Sequence, residues 1–493
     1  MKLTFAADRR ALTSADHLLL LAPAAAFGPR PKHPGVMARL CGERLATLAQ
    51  KLGKATSAGL LGASATTLVD GDQRLTVGVL PDRVSRHGTA SRAEAVRKLT
   101  AQAGLGGAAR PAVLVLVDDA AHALAVANAV SRALPELTYK TGAKRKATTL
   151  ALACHTVDGA AAALSAVDRD VVQRGREAMV FVDTPPTELD PATFATAARK
   201  LLRAVPGVKV QEIVGPGLLA KKLGGVHAVG RCARSAPRVV IATAHQPTAK
   251  GGKKGPHVAL VGKGITYDTG GLHLKGRGAM ETMKADMGGG AAVLGAFLAL
   301  ARHHKRPLSL VLCLAENAIG PAAYKPDDVL TMHSGKTVEI NNTDAEGRLL
   351  LADGCSYAAR VLKADVVLDA ATLTGAQGVA TGDHFASVIS NDHDVEQALC
   401  DAGRSSGDLC WPLPFAPEFF RSEFASPLAD MRNSVKNRSN AQVSCAAEFV
   451  HWHIDGTGVR WGHVDLASPA FRGDRGTGFG VALLHDAVRR LQG

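Results

Sequence analysis

The segment VGKGITYDTGGLHLK, residues 261–275, joins an apolar run to a polar, glycine-rich loop. The run begins as HVALVGKGI at residue 257, and its length and composition predict a β-strand. Asp268 follows this run, and the glycines at 270 and 271 allow the backbone to turn tightly around a bound group. The segment therefore places an acidic loop directly beside a strand.

Two further segments combine acids with glycines, namely MKADMGG at 283–289 and NNTDAEGRL at 341–349. Hard divalent cations favour carboxylate oxygens, and acids that converge at the ends of neighbouring strands repel one another without a metal. A single acid of this kind is more often a helix N-cap or half of a surface salt bridge, but four acids in three such segments favour a metal site. We therefore predict a two-metal site with the candidate ligands Asp268, Asp286, Asp344 and Glu346.

Two lysines near Asp268 could take part in this chemistry. Lys263 is predicted at a strand end and could bind a metal only as the neutral amine, a form that metal binding favours by lowering the pKa of the amine. A charged Lys275 could polarise a carbonyl group and stabilise a developing oxyanion. Spacing alone favours the plainer alternative that both lysines are exposed.

Short apolar runs alternate with amphipathic stretches along all 493 residues, which predicts an α/β fold. The predicted strands are HLLLLAP from His17, ATTLV, RLTVGVL, PAVLVLV from Pro111, ATTLALAC ending at Cys154, HVALVGKGI, PLSLVLCLA from Pro307 and ADVVLDAA from Ala364. The predicted helices cover residues 34–51, 91–103, 120–134, 288–304 and 346–362.

These elements predict two domains. We expect an N-terminal α/β domain over 1–165, a linker helix and proline-rich junction over 166–190, and a C-terminal α/β domain over 191–493 whose central mixed sheet is flanked by helices. The paired prolines of DTPPTELDP interrupt any continuous element in the junction. Asp190 followed by Pro191 predicts an N-cap and the start of a helix.

Composition excludes several classes of protein. With 46% apolar and 21% charged residues, the chain is typical of a globular protein and unlike a disordered one. The uncharged run 287–301 is shorter than the ~20 residues of a membrane span and predicts a buried helix. The apolar stretch 18–27 follows acids rather than a basic signal-peptide region, so we expect it to form the first strand. Eight cysteines without a C-x-x-C pair indicate reduced thiols and a cytoplasmic protein.

The three acidic segments resemble the leucine aminopeptidase, or cytosol aminopeptidase, family. The resemblance rests on NTDAEGRL, preceded by KGITYDTGGLHLK and KADMGG, and continues through SGKTVEI, ATLTGA, DMRNS and WGHVDLASPAFRGDRGTGFG over about residues 180–490. The residues of these motifs, including CLAENAIGP, are most similar to those of the branch of probable aminopeptidase-like proteins. The first 160 residues carry no motif that we can match.

The resemblance implies a pair of metal ions. Asp268 and Glu346 would bridge the two ions, Lys263 and Asp286 would complete one of them, and Asp344 would complete the other. Zinc is the expected metal, with manganese, magnesium or cobalt able to exchange at the looser position.

The resemblance also implies a reaction. Lys275 matches the electrophilic lysine of the family, and Arg348 matches the arginine that holds a bicarbonate ion as general base. Two cations lower the pKa of a shared water toward ~7, which gives a hydroxide nucleophile. The implied activity is removal of an N-terminal residue, leucine or another neutral one, from short peptides.

The pocket for the first side chain is implied in the same way. Its expected residues are Met283, Asn342, Ala345, Thr372, Leu373, Gly375, Ala467 and Ala470. Many family members have methionine at the position of Ala470, so we expect a wider pocket here and leave the preference for leucine open. His273 stands where serine is common, and we expect an exposed loop residue rather than a substrate or metal contact.

Family members are homohexamers, dimers of trimers, and we expect the same assembly and no membrane partner here.

The net charge of +14 suggests an alternative, a nucleic-acid-binding or scaffold protein that retains a peptidase fold. Its basis is the N-terminal third, where residues 1–150 contain 21 Lys and Arg against 10 Asp and Glu. This region has no recognised nucleic-acid motif, and the basic clusters at 144–146 and 250–254 are predicted as solvated loops.

Overall fold

The computed structural model describes residues 1–5, 9–141, 148–245 and 255–493. It divides into two compact units, one of residues 1–176 with 404–407 and one of residues 177–403 with 408–493. Each unit combines sheet and helix, which confirms the predicted two-domain α/β fold class. The basic clusters at 144–146 and 250–254 lie outside the described residues.

The first unit contains a six-stranded sheet with the order β1-β6-β5-β2-β4-β3, in which β3 and β4 are antiparallel and the other pairs are parallel. Its strands are β1 (Lys2–Phe5), β2 (His17–Pro23), β3 (Ala63–Leu68), β4 (Arg74–Leu80), β5 (Pro111–Val117) and β6 (Thr149–Thr156). Its helices are α1 (Arg9–Thr13), α2 (Val36–Cys41), α3 (Glu43–Ala55), α4 (Ala93–Gln102), α5 (Ala123–Arg132) and the start of α6 (Ala166–Asp183). Apolar clusters cover both faces of the sheet.

Two predictions for this unit are wrong in detail. The strand expected to be first, β2, is the second, because Lys2–Phe5 already pairs with β6. The helix predicted over 34–51 is interrupted, because the backbone at Gly42 leaves the helical region with φ 87° and ψ 152°. All five strands predicted here are observed, with boundaries shifted by a few residues at most.

The second unit contains an eight-stranded mixed sheet with the order β15-β14-β17-β13-β9-β10-β8-β7. Its strands are β7 (Lys209–Val214), β8 (Arg238–Ala244), β9 (Val258–Asp268), β10 (Leu308–Asn317), β13 (Val366–Ala371), β14 (Ala386–Ser390), β15 (Cys410–Pro412) and β17 (Arg460–Asp465). Short strands outside it are β11 (Val329–Thr331), β12 (Thr337–Glu339), β16 (Met431–Arg432), β18 (Phe471–Arg472) and β19 (Arg475–Gly476). The four central strands β17, β13, β9 and β10 are mutually parallel, so their carboxyl ends meet at one edge.

Helices flank this sheet. They are α7 (Pro191–Arg203), α8 (Pro216–Ala220), α9 (Gly224–Gly230), α10 (Gly288–His303), α11 (Gly347–Arg360), α12 (Ala376–Ala380), α13 (His393–Ser406), α14 (Pro417–Phe420), α15 (Gln442–Trp452) and α16 (Val481–Gln492). The predicted N-cap at Asp190 is confirmed, because its carboxylate accepts a hydrogen bond from Thr193 N at 2.8 Å and forms a capping box.

Helix α10 is the apolar core helix of this unit. It packs against β9, β10, β13 and α16, and its residues from Gly288 to Ala301 are all buried. By length and composition alone, Met283–His303 is long and apolar enough to cross a membrane, but 89% of its apolar window is buried within the fold. Packing in the core therefore accounts for its composition, as the sequence predicts.

Candidate active site

The candidate site lies at the edge where the four parallel strands end. Strands β9, β10 and β17 end at Asp268, Asn317 and Asp465, and Thr372 follows β13 directly. Ligands in α/β proteins characteristically bind at the carboxyl ends of such strands. A cavity of about 1240 Å³ opens at this edge, and its lining includes the predicted residues Lys263, Asp268, Lys275, Asp286, Asp344 and Glu346.

Three of the four predicted acids form a compact group. Asp268, Asp344 and Glu346 each offer one carboxylate oxygen, and these oxygens all lie within 4.8 Å of one another. Asp286 joins them through Lys263, whose Nζ lies 2.8 Å from Asp286 Oδ1 and 2.9 Å from Glu346 Oε1. The structure therefore brings together all four acids that the spacing predicts.

Lys263 lies inside strand β9 rather than at its end, because the strand continues to Asp268. Its ammonium is buried and donates a hydrogen bond to Thr372 O at 2.9 Å. Burial opposes the charge, but Asp286 and Glu346 outweigh burial and raise the pKa of Lys263. Gly347 is needed beside it, because a Cβ there would lie 2.6 Å from Lys263 Nζ.

Lys275 is the second cation of the site. Its Nζ lies 2.7 Å from Asp268 Oδ2 and 2.6 Å from Asp344 Oδ1. Partial burial lowers the pKa of Lys275, but the charge and hydrogen bond of Asp268 raise it by more, so the amine is protonated at neutral pH. The expectation that both lysines are exposed is wrong for this structure.

The carboxylates of the site outnumber the positive charges that face them. Burial raises the pKa of Asp286 and of Glu346, and the neighbouring carboxylates raise both further while Lys263 lowers them. Among the described residues, Asp286 Oδ2 and Glu346 Oε2 are buried and have no hydrogen-bond partner. Four carboxylates facing two ammonium groups, with oxygens left unpaired, fit a site for divalent cations.

Sequence reasoning missed the residues that orient Asp268. Its Oδ1 accepts hydrogen bonds from Gly270 N and from Asn317 Nδ2, both at 2.8 Å. Asn317 Nδ2 also donates to Thr343 O at 3.0 Å, and Tyr324 OH donates to the same carbonyl at 2.5 Å. The available signal was the polar residue Asn317 in CLAENAIGP, two positions after the predicted strand PLSLVLCLA.

Asp465 was missed as well. It is fully buried at the end of β17, and its carboxylate accepts hydrogen bonds from Leu373 N at 3.1 Å, Thr374 Oγ1 at 2.7 Å and Ala467 N at 3.3 Å. Leu373 and Ala467 belong to two different loops that line the cavity. Asp465 therefore holds together the loops that carry most of the predicted pocket.

Six of the eight predicted pocket residues line the cavity, namely Met283, Asn342, Thr372, Leu373, Gly375 and Ala467. Ala345 and Ala470 are buried and are not among the described lining residues. His273 is exposed in a loop, as expected, but it also lines the cavity. Its Nδ1 lies 3.2 Å from Thr343 N, which donates to it.

Arg348 lies in the first turn of α11 and is not among the described residues that line the cavity. Its Nη1 donates to Asn433 O at 3.0 Å, and burial lowers the pKa of Arg348 to about 10, which keeps it charged at neutral pH. Its Nε has no hydrogen-bond partner in the part of the chain that the structure describes.

Comparisons with known proteins identify the family of this chain. Residues 177–485 match the catalytic domain of the cytosol aminopeptidase family, and residues 42–143 match the M17 aminopeptidase N-terminal domain 2. The probable aminopeptidase NPEPL1 of Homo sapiens is 44% identical over 418 residues, which cover 83% of this chain and 78% of that protein.

Solved structures are similar over almost the whole chain. Leucyl aminopeptidase from Trypanosoma brucei, in complex with bestatin, is 36% identical with a TM-score of 0.89 and covers 99% of this chain and 95% of its own. The bottromycin maturation enzyme BotP, in complex with Mn, is 28% identical with a TM-score of 0.76 over 97% of this chain and 100% of its own. The N-terminal match shows that family-specific sequence begins well before residue 180. The chain belongs to the cytosol aminopeptidase family and is a peptidase of the leucyl aminopeptidase type.

Proposed function

We propose that this protein is a metal-dependent aminopeptidase that removes leucine or another neutral residue from the N-terminus of short peptides. The observation that carries this proposal is the cluster of four carboxylates, one buried lysine and one partly buried lysine at the carboxyl edge of the sheet. The cluster lies in a cavity large enough for a short peptide.

Five residues would hold two divalent cations. Asp268 and Glu346 would contact both, Lys263 and Asp286 one, and Asp344 the other. When bound, such cations supply Lewis-acid activation of water and of the peptide carbonyl. Zinc is the proposed metal, with manganese, magnesium or cobalt at the exchangeable position, and BotP is a relative described in complex with Mn.

The two lysines would act differently. Asp286 and Glu346 raise the pKa of Lys263. When bound cations offset the charge of these two acids, Lys263 would lose its proton more easily and would offer its neutral amine as a ligand. Lys275 would stay protonated, because its ammonium reaches the cavity and keeps contact with solvent. It would donate a hydrogen bond to the oxyanion that forms at the scissile carbonyl.

Arg348 would hold a bicarbonate ion, which would supply a general base for the proton that moves to the leaving amine. The support is its unpaired buried Nε, which is a donor suited to an anion.

The pocket and the assembly complete the proposal. Met283, Thr372 and Leu373 would contact the first side chain of the substrate, and the small Ala470 behind them would leave room for residues other than leucine. We also propose a cytoplasmic homohexamer, a dimer of trimers, for which sedimentation of a species near 51 kDa would be the contrary result.

Hydrolysis of a leucyl chromogenic amide tests the function. Activity should vanish with a chelator and return with Zn²⁺ or Mn²⁺. Glu346→Ala should abolish turnover and lower the bound metal content while the circular dichroism spectrum stays unchanged, whereas Glu396→Ala on α13 should behave as wild type. A Glu346→Ala protein with normal activity and metal content would refute the assignment.

A further inference from the structure

A segment at the mouth of the cavity carries two cationic side chains. Residues 434–438 contribute Lys436 and Arg438 to the cavity lining, and both side chains are exposed. In the described ranges of the chain, neither side chain takes part in a salt bridge. Exposed cations beside an acidic cavity are not explained by the metal site, which binds charges of the same sign.

The segment is fixed in place at its first end. Asn433 Oδ1 accepts hydrogen bonds from Asn341 N at 2.9 Å and from Asn342 N at 3.2 Å. Ser434 N donates to Asn341 Oδ1 at 2.9 Å, and Asn341 Nδ2 donates back to Ser434 O at 3.1 Å. These bonds connect the cationic segment to the loop that carries Asp344.

Glu423 fixes the other end. Its carboxylate accepts hydrogen bonds from Asn437 N at 2.9 Å and from Asn440 Nδ2 at 2.8 Å, and its carbonyl accepts one from Lys436 N at 2.9 Å. The hydrogen bonds from Asn440 and Asn437 lower the pKa of Glu423, and the charge of Lys436 contributes. Glu423 therefore offsets part of the charge of Lys436, and Arg438 has no matching acid among the residues that the structure describes.

The cavity thus has charge of opposite sign at two places. Its floor is rich in carboxylates, and its mouth carries an exposed lysine and an exposed arginine. A short peptide has the same separation of charge, with an amine at one end and a carboxylate at the other. Arginine is well suited to the second end, because its planar guanidinium donates two parallel hydrogen bonds to a carboxylate.

We propose that Lys436 and Arg438 form a subsite for the free C-terminal carboxylate of a dipeptide or tripeptide. This subsite would give short unblocked peptides an advantage over longer or C-terminally blocked ones. The inference rests on the proposed aminopeptidase function, and it adds a recognition element at the end of the substrate away from the metals.

Paired substrates test the subsite. For Leu-Gly and Leu-Gly-Gly, kcat/KM is compared with that of the same peptide ending in an amide. Because solvent weakens ion pairs at exposed side chains, the free acid should be favoured by about threefold to tenfold, mainly through KM. The preference should weaken as salt is raised, because both cations are exposed.

The double variant Lys436→Gln/Arg438→Gln should bring the acid-to-amide ratio close to one. The matched control Lys51→Gln/Arg83→Gln removes the same charge from exposed positions of the N-terminal unit and should keep the wild-type ratio. A wild-type enzyme that cleaves acid and amide equally at both lengths, or a double variant that keeps the preference, would overturn the subsite. If the aminopeptidase function itself is wrong, no substrate of either kind will be cleaved, which is a different result.

Discussion

The orientation of Asp268 by Asn317 gives a sharp prediction. Strands β9 and β10 pair in regular register until an irregularity between Ala315 and Asn317, after which Asn317 stands opposite Asp268. This irregularity directs the fully buried Asn317 amide at Asp268 Oδ1, at 2.8 Å. We predict that Asn317→Ala weakens metal binding, because Asp268 loses one of the donors that fix its carboxylate.

The expected size follows from the bonds removed. Asn317→Ala leaves Gly270 N as the remaining backbone donor to Asp268 Oδ1, while Thr343 O keeps the hydrogen bond from Tyr324. A hydrogen bond to a charged group contributes about 1.5–3 kcal/mol, and loss of a residue that supports a metal ligand typically lowers affinity by about 10- to 100-fold. These two figures agree, so the dissociation constant should rise by one to two orders of magnitude.

The assay is titration of metal-free protein with Zn²⁺ or Mn²⁺ against a chromophoric chelator, with unfolding of the metal-free protein by urea measured in parallel. Asn128→Ala is the control, because Asn128 is a buried asparagine of the N-terminal unit. An Asn317→Ala protein with wild-type metal affinity would refute the reasoning. The same conclusion would follow if Asn128→Ala weakened metal binding equally, since the effect would then reflect general loss of stability.

Two further predictions concern stability. Burial lowers the pKa of His453 to about 3, and its Nδ1 lies 2.7 Å from Ser334 Oγ. Below about pH 6.5 the unfolded chain binds a proton at His453, whereas the folded chain does not. The free energy of unfolding should therefore decrease by about 2 kcal/mol as the pH is lowered from 6.5 to 5. Urea unfolding of metal-free His453→Gln should show a smaller loss, and an unchanged loss would contradict the assignment. Gly289→Ala should lower stability by about 1–3 kcal/mol or more, because its Cβ would overlap the Ala370 carbonyl. In thermal unfolding, Gly276→Ala, with open space around its Cβ, should match wild type, and a Gly289→Ala protein that did so would count against this packing.

The sequence was informative about acidic residues that lie next to the end of a strand or the start of a helix. Asp268 ends β9, and Asp344 and Glu346 immediately precede α11, so local pattern was enough to select them. The fold class followed from the alternation of strands and helices, and the buried helix α10 from its uncharged run.

Residues that act across strands were not accessible in this way. Asn317 lies 49 positions from Asp268, and Asp465 lies 92 positions from Leu373. Their roles depend on strand order and on the irregularity in β10, and no local period encodes either of these. The placement of Lys263 at a strand end failed for a related reason, since the pairing of β9 with β10 continues past Lys263 to Asp268.

The positions of the charged residues are more informative about function than the net charge of the chain. The surplus of Lys and Arg in residues 1–150 suggested an anionic partner such as nucleic acid, yet residues 42–143 match an aminopeptidase N-terminal domain. The remaining 343 residues are almost balanced, with 37 Lys and Arg against 34 Asp and Glu, and would appear uninformative. Within that balance, the fold gathers acids on the floor of one cavity and places Lys436 and Arg438 at its mouth. An electrostatic potential arranged in this way favours a ligand whose own positive and negative charges are separated in the same manner, and the net charge of the protein does not reveal this preference.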